Sequence, residues 1–152
     1  MLGTIARMEK RVENLSELRE EARRFISTLP NAKGKATLVT LSGELGAGKT
    51  AFVQAVGEAL SVKERITSPT FVLLKTYLLP APSAWKHLVH IDAYRLKDAS
   101  ELSPLLFSEL QTDQDNLIVI EWPENIADAL LHVDARITLT SDDSLGRRIV
   151  YE

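Results

Sequence analysis

The segment Gly43-Glu44-Leu45-Gly46-Ala47-Gly48-Lys49-Thr50 restricts the folds open to this chain more than any other feature. Its spacing, Gly-x-x-x-x-Gly-Lys-Thr, is that of a phosphate-binding loop. Such a loop works only between a buried strand and the start of a helix, and both flanks read that way. Ala36-Thr37-Leu38-Val39-Thr40-Leu41 is a short apolar run suited to a buried strand. After the loop, Phe52, Val53, Val56 and Leu60 recur at helical spacing. By average residue usage, a chain of this length matches the pattern by chance roughly once in 200. The required flanks make a chance match rarer still.

Phosphate chemistry accounts for each residue type. Glycines reach positive φ and let backbone N–H groups converge on phosphate oxygens. The following helix points the positive end of its dipole at the same anion. Gly43, Glu44, Leu45, Gly46, Ala47, Gly48, Lys49, Thr50 and Ala51 are therefore the expected nucleotide-binding residues. Within them, Lys49 places a compact cation on the β- and γ-phosphates, and Thr50 offers its hydroxyl to Mg²⁺. ATP and Mg²⁺ are the expected ligands.

The rest of the chain suits an α/β fold. Leu18, Ala22, Phe25, Ile26 and Leu29 form one face of a helix over 16–29, with Asn14 or Ser16 as its cap and Glu17 and Glu20 in its first turn. Pro30-Asn31 ends it. A β-rich stretch is expected at 71–79, broken by Pro80-Ala81-Pro82-Ser83. Strands follow at 87–92 and 117–120. Helices are expected at 99–110, with Pro104 near the start or at a kink, and from Pro123 to Leu131. Arg136–Thr140 and Arg147–Tyr151 flank a turn and read as a closing hairpin. The alternation predicts a P-loop three-layer αβα sandwich with a mixed parallel and antiparallel sheet. No linker divides the chain, so residues 1–152 are expected to form one domain.

A P-loop needs a carboxylate at the end of a neighbouring strand to hold Mg²⁺ or its water. Asp92 follows Leu88-Val89-His90-Ile91, and Glu121 follows Leu117-Ile118-Val119-Ile120. Each would emerge at the ligand edge of an α/β sheet, although an ordinary strand-end carboxylate looks the same. Thr67-Ser68-Pro69-Thr70 lies where many P-loop proteins place a loop that senses the γ-phosphate. A plain turn set by Pro69 is the alternative. Trp122 is read as core, His90 as a packed histidine, and Arg95 as a surface cation beside Asp92.

Composition narrows the function. Net charge is −3, so no general polyanion-binding surface is expected, and contact with nucleic acid must be local or pass through a partner. The absence of cysteine excludes disulfides and thiolate metal sites and fits a reducing compartment. No apolar run approaches the length of a bilayer span or a signal peptide, so a cytoplasmic protein without a membrane role is expected.

Taken in order, the motifs 43–50, Thr67-Ser68-Pro69-Thr70-Phe71, His90-Ile91-Asp92-Ala93-Tyr94-Arg95-Leu96, Glu101-Leu102 and Ile120-Glu121-Trp122-Pro123 resemble those of the TsaE (YjeE) family. The resemblance is strong over 36–124. It implies a slow, Mg²⁺-dependent ATPase of tRNA threonylcarbamoyladenosine synthesis. It implies association with a TsaB–TsaD complex, which modifies the adenosine beside the anticodon, so that tRNA is met indirectly through that complex. By the same resemblance Lys49, Asp92 and Glu121 are the catalytic set, Thr50 and Glu121 the metal residues, and Ser68, Pro69 and Thr70 the switch loop. Trp122 then stands beside the site. Leu105-Leu106 replaces an expected glycine, Ala93 a larger apolar residue, and 80–86 is a variable loop. The N-terminal residues that touch the base in the family do not align. A small-molecule or nucleotide kinase and a non-catalytic nucleotide-sensing adaptor remain as alternatives.

Overall fold

The computed structural model describes residues 6–31, 33–69 and 72–152, the side chains of Pro104 and Leu105 apart. It contains a mixed seven-stranded sheet with helices on both faces. In chain order the strands are β1 (Met8–Val12), β2 (Thr37–Ser42), β3 (Leu74–Leu78), β4 (His87–Asp92), β5 (Asn116–Glu121), β6 (Ala135–Ser141) and β7 (Arg147–Tyr151). The helices are α1 (Leu15–Thr28), α2 (Lys49–Ala59) and α3 (Pro104–Thr112). The sheet order is β1-β7-β6-β2-β5-β4-β3. The central strand β2 is parallel to β5 and β6, and β5 is parallel to β4. Both outer parts, β3 on β4 and the β6-β7-β1 meander, are antiparallel.

Alternation of side chains sorts the core into two layers. Val39, Leu41, Leu117 and Val119 point to the face covered by α1 and α2, where they meet Phe25, Phe52 and Val56. Leu38, Ile118, Ile120 and Ile91 point the other way, onto Phe107 and Ile126. Covered on both faces, β2, β4 and β5 are buried along nearly their whole length, with apolar residues filling most of their middle positions. Towards the meander the second face is open. There Arg136, Thr138 and Thr140 of β6 alternate with buried Ile137 and Leu139.

Three expectations need correction. The stretch 99–110 is not one helix. A 3₁₀ turn at Ala99–Glu101 ends at Leu102, Ser103 is extended, and α3 begins at Pro104. Steric pressure from a proline pushes the preceding residue out of the α region, so Pro104 starts a helix instead of kinking one. The helix after Pro123 is a 3₁₀ segment, Pro123–Ala129, interrupted at Ile126. The strand expected from 71 begins only at Leu74, after a turn in which Leu73 has φ +66°; Phe71 itself lies outside the described residues. In addition, β1 was not foreseen.

One buried polar contact ties α1 to the meander. Glu21 is buried on α1, accepts a hydrogen bond from the Tyr151 hydroxyl at 2.7 Å and is paired with Arg24. Burial alone would raise its carboxyl pKa, but the bonds from Arg24 and Tyr151 outweigh it and hold the group below the ordinary carboxyl value. A carboxyl depressed in the folded state adds stability above its unfolded pKa of about 4.3 and loses that contribution as pH falls. Tyr151→Phe is therefore expected to lower Tm most near pH 7, with the gap from wild type narrowing below about pH 4. Thermal melts across that range check it; a gap independent of pH would contradict the assignment.

Candidate functional site

The glycine-rich loop leaves the C-terminal end of β2 and enters α2 at Lys49. Its backbone demands glycine at Gly43 (φ +147°), where an added Cβ would sit 2.3 Å from the carbonyl oxygen of Leu139 on β6. Gly46 and Gly48 also have positive φ, +81° and +101°. Gly48 caps α2 without a side-chain acceptor. The first-turn N–H groups of that helix thus suit an anion from outside the chain.

Lys49 is buried. Its Nζ donates to the carbonyl oxygens of Gly43 (2.6 Å) and Glu44 (2.8 Å) and lies 4.1 Å from the centre of the Trp122 ring. Burial pulls its pKa below the ordinary lysine value, while the charges of Glu121, Glu124 and Asp92 act against that shift.

Two acids close the neighbouring strands. In the parallel register Glu121 pairs with Leu41 on one side and Asp92 on the other. Both carboxylates are buried and share the α2 side of the sheet with Val119 and Leu117. Glu121 Oε1 accepts from the Thr50 hydroxyl at 3.0 Å, and Oε2 lies 2.7 Å from His90 Nε2. Asp92 accepts from the Tyr94 backbone N–H (3.0 Å) and the Ser68 hydroxyl (3.3 Å). Trp122 adopts a left-handed conformation (φ +59°, ψ +50°) in which its N–H donates to Leu41 and its ring leans on Tyr94.

These side chains line one cleft of about 330 Å³. Of the residues singled out from sequence, Leu45, Gly46, Gly48, Lys49, Thr50, Ala51, Ser68, Asp92, Glu121 and Trp122 border it. Gly43 and Glu44 contribute carbonyls to Lys49, with the Glu44 side chain exposed. Ala47 is buried, its N–H donating to Glu44. Pro69 is buried and its carbonyl accepts from Val72 and Leu73. Thr70 lies outside the described residues.

Sequence reasoning passed over two features. One is the His90–Glu121 contact. The other is a second cleft of about 190 Å³ on the far side of Ala51, walled by Val12, Leu15, Leu139, Leu145 and Arg147 with Gly48 at its edge. Leu145, with φ +64° and 91% exposure in the β6–β7 turn, is the one cue sequence offered: an apolar residue in a polar turn.

The donor set suits Mg²⁺. Thr50 and Glu121 present hard oxygen ligands side by side, with Asp92 beyond them. Among the described residues no cluster of three or more histidines and acids could hold a metal unaided. Mg²⁺ is commonly held by one or two carboxylates together with substrate phosphates, which is what such a pair offers.

A family model described as "Threonylcarbamoyl adenosine biosynthesis protein TsaE" matches residues 12–149. The chain is similar to a "tRNA threonylcarbamoyladenosine biosynthesis protein TsaE" of Mycobacterium tuberculosis, 42% identical over 110 residues, or 68% of this chain and 65% of the relative. The chain thus spans about two-thirds of that relative's length. A protein of the same description from Haemophilus influenzae is 32% identical over 127 residues, covering 76% and 77%. Among solved structures, Bacillus subtilus YdiB superposes with a TM-score of 0.70 at 25% identity, covering 96% of this chain and 84% of that one.

Proposed function

The chain belongs to the TsaE family, and we propose that it is a P-loop ATPase that binds ATP with Mg²⁺, hydrolyses it slowly, and serves threonylcarbamoyl modification of the tRNA adenosine next to the anticodon together with a TsaB–TsaD complex. The observation that carries this reading is the convergence of the Lys49 ammonium, the Thr50 hydroxyl and two buried strand-end carboxylates on one cleft.

In this mechanism the triphosphate lies along the loop N–H groups, and Lys49 exchanges its carbonyl partners for β- and γ-phosphate oxygens. Thr50 and Glu121 would hold Mg²⁺, which when bound neutralises phosphate charge. Asp92, fixed by Ser68 and Tyr94, orients the attacking water and accepts its proton. Lys49 and the loop amides stabilise charge as it develops on the departing phosphates. The base and sugar extend past Ala51 into the second cleft, against Leu15, Leu145 and Arg147.

The Ser68–Asp92 bond links the 66–69 loop to the site, which gives the nucleotide state a route to a partner surface. A net charge of −3 favours indirect contact with tRNA. No helix among the described residues is long and apolar enough to cross a membrane. Work in the cytoplasm is part of this proposal.

Calorimetric titration of ATP and ADP, with Mg²⁺ and with EDTA, tests the first half. Phosphate release with and without TsaB–TsaD tests the second. Binding together with slow, partner-dependent hydrolysis is expected. Absence of nucleotide binding would refute the reading, and phosphate transfer to a nucleoside or sugar would favour a kinase.

A further inference from the structure

Along β4, Leu88, His90 and Asp92 share the face beneath α2. Leu88 belongs to the apolar core and Asp92 to the cleft edge. His90 lies between them with no exposed surface. Across the β4–β5 ladder it pairs with Val119, so Glu121 is its diagonal neighbour on the same face.

The imidazole has one hydrogen bond, from Nε2 to Glu121 Oε2 at 2.7 Å. Its other nitrogen, Nδ1, is the one fully buried side-chain polar atom among the described residues that lacks a partner. Buried polar atoms are rarely left in that condition, because the lost hydration is not replaced. Leucine or phenylalanine would fill this volume without that cost. The histidine is therefore poorly explained by packing, and its single bond falls on the acid that also meets Thr50.

We propose that His90 is a positioning residue: it donates Nε2–H to Glu121 Oε2, locks the rotation of that carboxylate, and so keeps Oε1 turned towards Thr50 and the Mg²⁺ that arrives with the nucleotide. This rests on the ATP·Mg²⁺ reading above. A carboxylate oxygen accepts here, so the contact calls for a hydrogen on Nε2, and in a neutral ring with that hydrogen Nδ1 is a bare acceptor. Hydrogen-bond partners behind a metal ligand fix its orientation in this manner.

The test compares His90→Leu, His90→Asn and His90→Gln. The glutamine amide nitrogen extends to about the reach of Nε2; the asparagine amide stops near Nδ1. ADP binding is measured in EDTA and across a Mg²⁺ titration, alongside Tm. His90→Leu and His90→Asn are expected to raise the half-saturating Mg²⁺ concentration by about tenfold or more, leaving ADP binding in EDTA unchanged. His90→Gln is expected to restore most of the loss. A merely structural histidine would change Tm in all three without separating Gln from Leu and Asn in Mg²⁺ dependence, and that result would overturn the proposal. Should His90→Leu fail to fold, the Asn and Gln pair still decides. A ¹⁵N–¹H spectrum of the wild-type imidazole is an independent check: the Nε2–H tautomer is expected, and the Nδ1–H tautomer would also overturn it. Wild-type protein that binds no ADP would defeat the function proposed above and this inference with it. Wild-type binding with variants of unchanged Mg²⁺ dependence would defeat this inference alone.

Discussion

Replacing Lys49 with alanine is expected to lower ATP hydrolysis by at least about 10²-fold and to leave the fold intact. The size of the effect follows from where the cation sits. Its ammonium is buried at the head of α2, within 3 Å of two loop carbonyls and against the face of Trp122. A charge in such a place is stronger on a phosphate than one in bulk water, because little solvent competes. Removing one preorganised charge-stabilising donor from an active site costs about 10²–10³ in rate. The fold should survive because the residues packing α2, Phe52, Val53 and Val56, are unchanged. Circular dichroism and a thermal melt establish the fold, and phosphate release gives the rate. An unaltered rate would show that hydrolysis, if present, occurs elsewhere.

The second large effect falls on stability. Gly43→Ala meets two obstacles at once: φ of +147°, which L residues rarely adopt, and a Cβ only 2.3 Å from the Leu139 carbonyl oxygen. The obstructing atom is backbone in the middle of β6 and cannot swing aside. Either β6 moves or the loop does, and both positions follow directly on the β2–β6 pairing, whose last pair is Ser42 with Thr138. Backbone strain and overpacking each cost roughly 1–3 kcal/mol, so a combined loss of about 3 kcal/mol or more is expected. For a domain of this size that lowers Tm by about 6–12 °C. Gly34→Ala is the control: its φ is +81°, but nothing lies within 4 Å of the added carbon. It should cost only about 1 kcal/mol, the left-handed penalty alone. Equal losses at the two positions would mean that the close approach of β2 and β6 is not what requires glycine at 43.

How much of this was legible beforehand depends on how local each signal is. The P-loop spacing and the apolar runs before and after it fixed β2, the loop and α2 to within a residue or so, because each pattern is contiguous. The hairpin of β6 and β7 was readable for the same reason. The strand β1 was not. Met8-Glu9-Lys10-Arg11-Val12 is mostly charged, as suits an edge strand that must not pair further, and among the described residues its strand partner is β7, near the far end of the chain. The second cleft was hidden likewise, since Val12, Leu15, Leu139 and Leu145 become neighbours only through the sheet order. Asp92 and Glu121 could be placed at strand ends from sequence, and the structure brings both to one cleft with Lys49 and Thr50. The depth of His90 could not be read, because alternation gives a side chain's face but not what stands beside it on the next strand.

The register of β5 between β2 and β4 has a consequence beyond packing. Glu121 reaches Thr50 only because it stands opposite Leu41 and Asp92, and side chains on a strand alternate between faces. A molecule with β5 slid by one position would keep most of its ladder and bury much the same oil, yet it would aim that acid into the opposite layer. The cleft therefore acts as a checksum on strand alignment: a chain zipped one notch out of step would look folded by backbone measures, but it could not assemble the acid pair.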